Sequence, residues 1–143
     1  MFRDRDEGAT VNASSRTDGR PPPLTPQRST PCVLVVDDDA ALARMLSLTL
    51  RDGGFDVTSA ANGQSALAEV EASRPDAIVL DLEMPVMDGR AFFRTLRARG
   101  DRTPVLVLSA YDARRAQREL GADGHLDKPF DPEALIGAVR SLL

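Results

Sequence analysis

Six side chains carry most of the chemistry in this sequence. Asp37, Asp38 and Asp39 follow the apolar run Cys32-Val-Leu-Val-Val36, Asp81 closes Ala77-Ile-Val-Leu80, Ser109 closes Val105-Leu-Val-Leu108, and Lys128 follows His125-Leu126-Asp127. Two or three carboxylates brought together repel unless a hard cation lies among them. An open, oxygen-rich site of that kind suits Mg2+ with several retained waters. A metal there bridges carboxylate and phosphoryl oxygens and offsets the charge that would otherwise keep a carboxylate from attacking phosphorus. Lys128 adds a point charge and Ser109 a hydroxyl donor. These parts allow a carboxylate to accept a phosphoryl group covalently. The plainer alternative for Asp37 to Asp39 is a cluster at a helix N-terminus, and Asp39 is the member expected to serve as that cap.

The elements that must position these groups can be read from hydrophobic pattern. Short continuous apolar runs ending in polar residues mark strands buried on both faces, here at 32–36, 77–81 and 105–108. A strand is also expected at 55–59 and a short one at 125–126. Between them lie helical patterns from 40 to about 51, closed by Gly53-Gly54, and at 64–72, stopped before Pro75. Further helices are expected from Gly89 to about residue 99, within 112–120, and from Pro132 to 142 with Asp131 as cap. Met84-Pro85 breaks the third strand's pattern, and Asp88-Gly89 supplies turn and helix-start chemistry. Five βα units in succession predict an α/β fold, a flavodoxin-like, doubly wound parallel sheet in order 2-1-3-4-5 with five helices. All six polar residues then fall on the carboxyl edge of the sheet, where ligands bind in such folds.

Composition narrows the function classes. The chain has 143 residues, 42% hydrophobic and 28% charged, enough for one modest core. Net charge is −4 with 4% aromatic residues and no Trp, which argues against a basic, base-stacking nucleic-acid surface. One cysteine, Cys32, leaves no intramolecular disulfide and no Cys-based metal cluster, and reads as a small core residue. No apolar run reaches the roughly 18 residues of a membrane span, and no secretory signal opens the chain. A cytoplasmic protein with no membrane association is expected. Residues 1–30 mix charges with Ser, Thr and Gly and run into Arg20-Pro21-Pro22-Pro23, a pattern expected for a disordered tail.

Four motifs in order carry a family resemblance: Val-Leu-Val-Val-Asp37-Asp38-Asp39, Val-Leu-Asp81-Leu-Glu-Met-Pro-Val-Met-Asp-Gly, Leu108-Ser109-Ala110 and Asp127-Lys128-Pro129-Phe130. Together they resemble the receiver domain of two-component response regulators over residues 31–143. The resemblance implies that Asp81 is the phosphoacceptor, with Asp38 a direct Mg2+ ligand and Asp37 holding the metal mainly through water. The backbone carbonyl of Glu83 would complete the protein's share of the shell. Ser109 would bond the phosphoryl oxygen, Lys128 would pair with it, and the Lys128-Pro129 bond would be cis. Lys128 is the only lysine; the other 17 of 18 basic residues are Arg, so a compact ammonium is singled out here.

The same resemblance makes Ser109 and the residue three before the lysine the moving parts of a switch. That second position is His125, where the family usually has a large aromatic, so weaker or pH-dependent coupling is expected. Glu83 and Tyr111 occupy the positions at which the family tunes hydrolysis of the acyl phosphate. Ser109 and Lys128 are 19 positions apart, about three fewer than the family pattern, so helix four should lose roughly one turn. This alters the face of helix four, strand five and helix five, through which family members make partner or dimer contacts. A phosphorylation-dependent dimer belongs to what the resemblance implies.

With no effector motif after the last helix, a stand-alone phosphorylation switch is expected, a signalling phosphoacceptor and not an enzyme. Its partners would be a sensor histidine kinase or histidine phosphotransfer protein and an output protein; a phosphorelay intermediate is the close variant. A haloacid dehalogenase-type phosphatase is the alternative from another class. It fits less well, because Glu83 stands where an acid/base Asp is needed and the nucleophile lies on strand three. Flavin binding is disfavoured by repulsion between the flavin phosphate and Asp37 to Asp39.

Overall fold

The computed structural model describes residues 30–84 and 89–143. The expected tail, but for Thr30, lies outside them, as do Pro85 and Asp88 of the turn after the third strand. Five strands, β1 (Cys32–Val36), β2 (Asp56–Ala60), β3 (Ala77–Asp81), β4 (Val105–Ser109) and β5 (Gly124–Asp127), alternate with five helices. These are α1 (Ala40–Asp52), α2 (Gly63–Ser73), α3 (Gly89–Ala98), α4 (Ala113–Leu120) and α5 (Pro132–Arg140). All strand pairs are parallel and the order is β2-β1-β3-β4-β5, the flavodoxin-like arrangement read from the sequence.

The three central strands are buried along their whole length, as the unbroken apolar runs require. Alternate side chains separate into two cores. Leu34, Val36, Ile78, Leu80 and Val107 pack with Phe92, Phe93 and Leu96 of α3 and with α2 and α4. Val33, Val35, Val79 and Leu108 pack on Leu46 and Leu50 of α1 and Leu135 and Val139 of α5. Burial of this kind contributes about 1.5–3 kcal/mol for each large apolar side chain. Cys32 is buried in β1, as expected.

Local chemistry sets the helix starts. Asp39 accepts the Leu42 N–H at 3.1 Å, Asn62 the Ser65 N–H at 2.9 Å, and Asp131 the Ala134 N–H at 2.8 Å with Pro132 behind it. Asp39 is therefore a cap, leaving Asp37 and Asp38 for other work. α4 has eight residues, in keeping with the expected shortening.

Three strands differ from the sequence reading, β4 by running one residue further, to Ser109. β2 begins one residue later, because Phe55 is spent on closing α1: its N–H donates to Leu50 O at 3.1 Å and its ring is buried with Leu50, Leu135 and Val139. β5 extends a residue beyond the expected pair at each end, with Gly124 paired to Leu106 and Asp127 to Ser109. Gly124 fits there because an added Cβ would lie 3.1 Å from Leu106 Cδ1. Gly89, at the start of α3, is more constrained: a Cβ would stand 2.6 Å from the carbonyl oxygen of Asp81 and 3.0 Å from Leu82 Cα.

Candidate functional site

Strand register brings the polar residues to one edge. Val36 pairs with both Ala60 and Leu80, Asp81 with Leu108, and Ser109 with Asp127, so Asp37, Asp81, Ser109 and Lys128 end or follow four strands at one level. The ladder continues into the loops: Leu82 N–H donates to Leu108 O at 3.1 Å and Lys128 N–H to Ser109 O at 3.0 Å. The Lys128-Pro129 bond is cis.

Asp81 is 3% exposed. Its Oδ1 accepts from Lys128 Nζ at 2.9 Å and from the Glu83 N–H at 3.0 Å. Burial works against the charge of Lys128, but its hydrogen bond to Asp81 and the carboxylates of Asp81, Glu83 and Asp37 outweigh that penalty and raise its pKa. Asp37 Oδ1 accepts the Asp39 N–H at 2.9 Å. Its Oδ2 is buried without a hydrogen-bond partner. Burial, reinforced by the charge of Asp81, pushes the Asp37 carboxyl up to about 7, against the lowering effect of the Asp39 N–H and of Lys128.

Carboxylate oxygens of Asp37, Asp38 and Asp81 lie within 4.8 Å of one another, with Asp38 exposed to solvent. An orphaned buried oxygen beside two further carboxylates is what a hard divalent cation would satisfy. The donor set fits Mg2+, all oxygen and open on the Asp38 side.

Ser109 and Glu83 meet across the site. Ser109 Oγ donates to Glu83 Oε2 at 2.7 Å and accepts the Tyr111 N–H at 3.0 Å. Ala110 N–H donates to Glu83 Oε1 at 3.1 Å, and Lys128 Nζ stands 3.6 Å from the same oxygen. Tyr111 is 77% exposed, so its ring is not packed beside the loop. His125 points elsewhere: Nδ1 is hydrogen-bonded to Gln117 Oε1 of α4, and Gln117 Nε2 donates to Ala122 O at 3.3 Å. Among the described residues no hydrogen bond joins His125 to Ser109.

Three participants were not singled out from the sequence. Gln117 is an ordinary polar helix residue until β5 is placed beside α4. Asp127 accepts the Ala113 N–H at 3.1 Å and so ties β5 to the start of α4. Gly89 admits α3 to the Asp81 backbone, which a lone Gly in a turn signal does not reveal.

The family model of the response regulator receiver domain matches residues 33–140. The chain belongs to this family. The transcriptional regulatory protein PrrA of Mycobacterium leprae is 48% identical over 118 residues, 80% of this chain and 51% of PrrA. The response regulator MprA of Mycolicibacterium vanbaalenii is 45% identical over 114 residues, 78% of this chain and 49% of MprA. The chain thus spans about half the length of these curated relatives. Among solved structures, the Vibrio cholerae chemotaxis protein CheY4 matches 80% of this receiver chain and 100% of its own, with TM-score 0.74 and 37% identity. A receiver domain from Bermanella marisrubri matches with TM-score 0.73 and 35% identity. No helix among the described residues is long and apolar enough to cross a membrane.

Proposed function

We propose that this receiver domain is a phosphorylation-controlled signalling switch that takes a phosphoryl group on Asp81 from a histidine kinase or histidine phosphotransfer protein. One observation carries the reading: a nearly buried carboxylate is held by an ammonium at 2.9 Å beside an orphaned carboxylate oxygen of Asp37. Asp37, Asp38, Asp81 and the Glu83 backbone carbonyl would hold Mg2+. The ion supplies charge compensation for the carboxylates and a contact for a phosphoryl oxygen.

The chain's own groups do the rest. An Asp81 oxygen attacks phosphorus, the phosphorus–nitrogen bond of the donor breaks, and the imidazole nitrogen keeps the electron pair. The product is an acyl phosphate on Asp81. Lys128 holds Oδ1 before transfer and is within reach of the new phosphoryl oxygens after it; Ser109 offers its hydroxyl. Water attacking the same phosphorus returns inorganic phosphate and the Asp81 carboxylate. Tyr111, two residues after Ser109, would slow that attack if its exposed ring screened the acyl phosphate. His125 is tied to Gln117 of α4 and shares no hydrogen bond with Ser109, so coupling of Ser109 to α4 through it would be weak.

Output would pass to a partner protein, in the cytoplasm. PrrA is a transcriptional regulatory protein, which favours a transcriptional output here; the expectation of no nucleic acid would then hold for the receiver's own surface, with DNA contact made by a partner or by chain outside the receiver. The phosphatase alternative needs an Asp acid/base where this chain has Glu83, whose carboxylate accepts from Ser109 and Ala110 in the unmodified domain.

The reading is tested by incubating the protein with a radiolabelled phosphohistidine donor. Label is expected to move to the wild type and not to Asp81→Asn, and to stop with EDTA. Equal labelling of Asp81→Asn would overturn the assignment.

A further inference from the structure

The Glu83 carboxylate occupies an unusual place. It collects the Ser109 hydroxyl at 2.7 Å, the Ala110 N–H at 3.1 Å and the Lys128 ammonium at 3.6 Å. These three donors come from two different strand ends, and all face the space beside Asp81. Lys128 also holds Asp81 Oδ1 at 2.9 Å, and with Ser109 it is the donor that the proposed function assigns to a phosphoryl group on Asp81. A carboxylate presents two anionic oxygens on one carbon, much as a phosphoryl group presents its oxygens on phosphorus. The Ser109 hydroxyl has one proton and the Ala110 amide one N–H, so neither makes a full hydrogen bond to Glu83 and to a phosphoryl oxygen at once.

We propose that Glu83 is a built-in stand-in for the phosphoryl group, an anion that fills the phosphoryl-oxygen pocket of the unmodified domain and must leave when phosphate arrives. The inference rests on the reading of Asp81 as acceptor and deepens it. Glu83 is suited to such exchange. Its side chain is 32% exposed and so has solvent to move into. Its backbone is fixed independently by the N–H bond to Asp81 Oδ1 at 3.0 Å, so release of the carboxylate leaves the acceptor loop anchored. The nearby acidic groups, Asp37, Asp38 and Asp81, oppose any other seat for it inside the site. Two consequences follow for the domain. Ser109 is held inward before any phosphoryl group binds, and each phosphoryl ligand binds against a resident competitor.

A purely structural strap between the loops after β3 and β4 would have the same hydrogen bonds, and the two roles separate on ligand affinity. Beryllofluoride with Mg2+ serves as the phosphoryl probe, titrated into wild type, Glu83→Gln and Glu83→Ala and followed by the amide signals of Ser109 and Ala110. The isosteric Glu83→Gln keeps the shape of the strap and removes its charge. Both variants are expected to saturate at probe concentrations lower by roughly tenfold, the scale of losing a charge-assisted hydrogen bond. The gain from Glu83→Gln is expected to shrink in a Ser109→Ala background. Saturation of all three proteins with equal midpoints, or weaker binding by both variants, would overturn the stand-in. No saturation by wild type or either variant would overturn the phosphoryl-acceptor reading itself, and the stand-in with it.

Discussion

Lys128 Nζ lies 2.9 Å from Asp81 Oδ1 although the residues are 47 positions apart and follow or end strands separated by β4. The contact exists because β3, β4 and β5 are in register at their carboxyl ends. It makes Lys128 a short, compact charge aimed at the acceptor. Replacing it by Arg keeps the charge but exchanges a compact ammonium for a larger planar fork. Lys128→Arg and Lys128→Ala are each expected to slow phosphorylation by acetyl phosphate about 100-fold, the usual scale for removing one donor to developing charge. Single-turnover rates at fixed Mg2+ check this; a wild-type rate in Lys128→Arg would contradict it.

Asp37 gives a pH dependence. Its carboxyl is pushed from the ordinary 3.8 up to about 7, chiefly by burial, so the folded protein keeps a proton that the unfolded chain has lost. Stability of the metal-free domain therefore carries no Asp37 penalty below about pH 4, falls as pH rises through the window to about 7, and bears the full penalty above it. Thermal melts in EDTA are expected to show this fall in wild type and a flatter profile in Asp37→Asn. Adding Mg2+ near pH 7.5 should raise the melting temperature of wild type more than that of the variant. Identical pH profiles would remove Asp37 as the cause.

Gly89 is a stability determinant of the site. A methyl group there would meet the Asp81 carbonyl oxygen at 2.6 Å, so α3 must retreat or the acceptor strand must shift. Gly89→Ala is expected to cost about 1–3 kcal/mol in denaturant unfolding, the usual range for overpacking, and to slow phosphorylation as well. An unchanged midpoint with unchanged slope would show that the helix start yields freely.

Tyr111 is exposed two residues after Ser109, with its N–H bonded to Ser109 Oγ. Shielding of the acyl phosphate from water is expected to disappear in Tyr111→Ala, with dephosphorylation faster by a few fold. Matching lifetimes in the two proteins would end the shielding role.

Most of the framework was legible because buried parallel strands write themselves as apolar runs. β3 and β4 end in Asp81 and Ser109 and Asp37 directly follows β1, so the same apolar runs mark both the strands and the site. The ends of β5 escape the pattern because Gly124 and Asp127 lack the apolar signature, although sheet pairing defines them. Phe55 looked like a strand residue and is instead packed behind α1 and α5. Side-chain partners across loops were the least legible part. The Glu83 carboxylate reaches Ser109, 26 residues away, and His125 reaches Gln117 on a different element. Both choices depend on side-chain rotamers and on the distance between loops, which residue type and spacing do not encode.

The central claim is that Asp81 accepts the phosphoryl group, and intact mass tests it most directly. Wild type and Asp81→Asn are incubated with acetyl phosphate and Mg2+, with an EDTA control. A gain of one phosphoryl mass in wild type, absent in Asp81→Asn and in EDTA, is the expected result. An equal gain in Asp81→Asn would place the acceptor elsewhere and contradict the account.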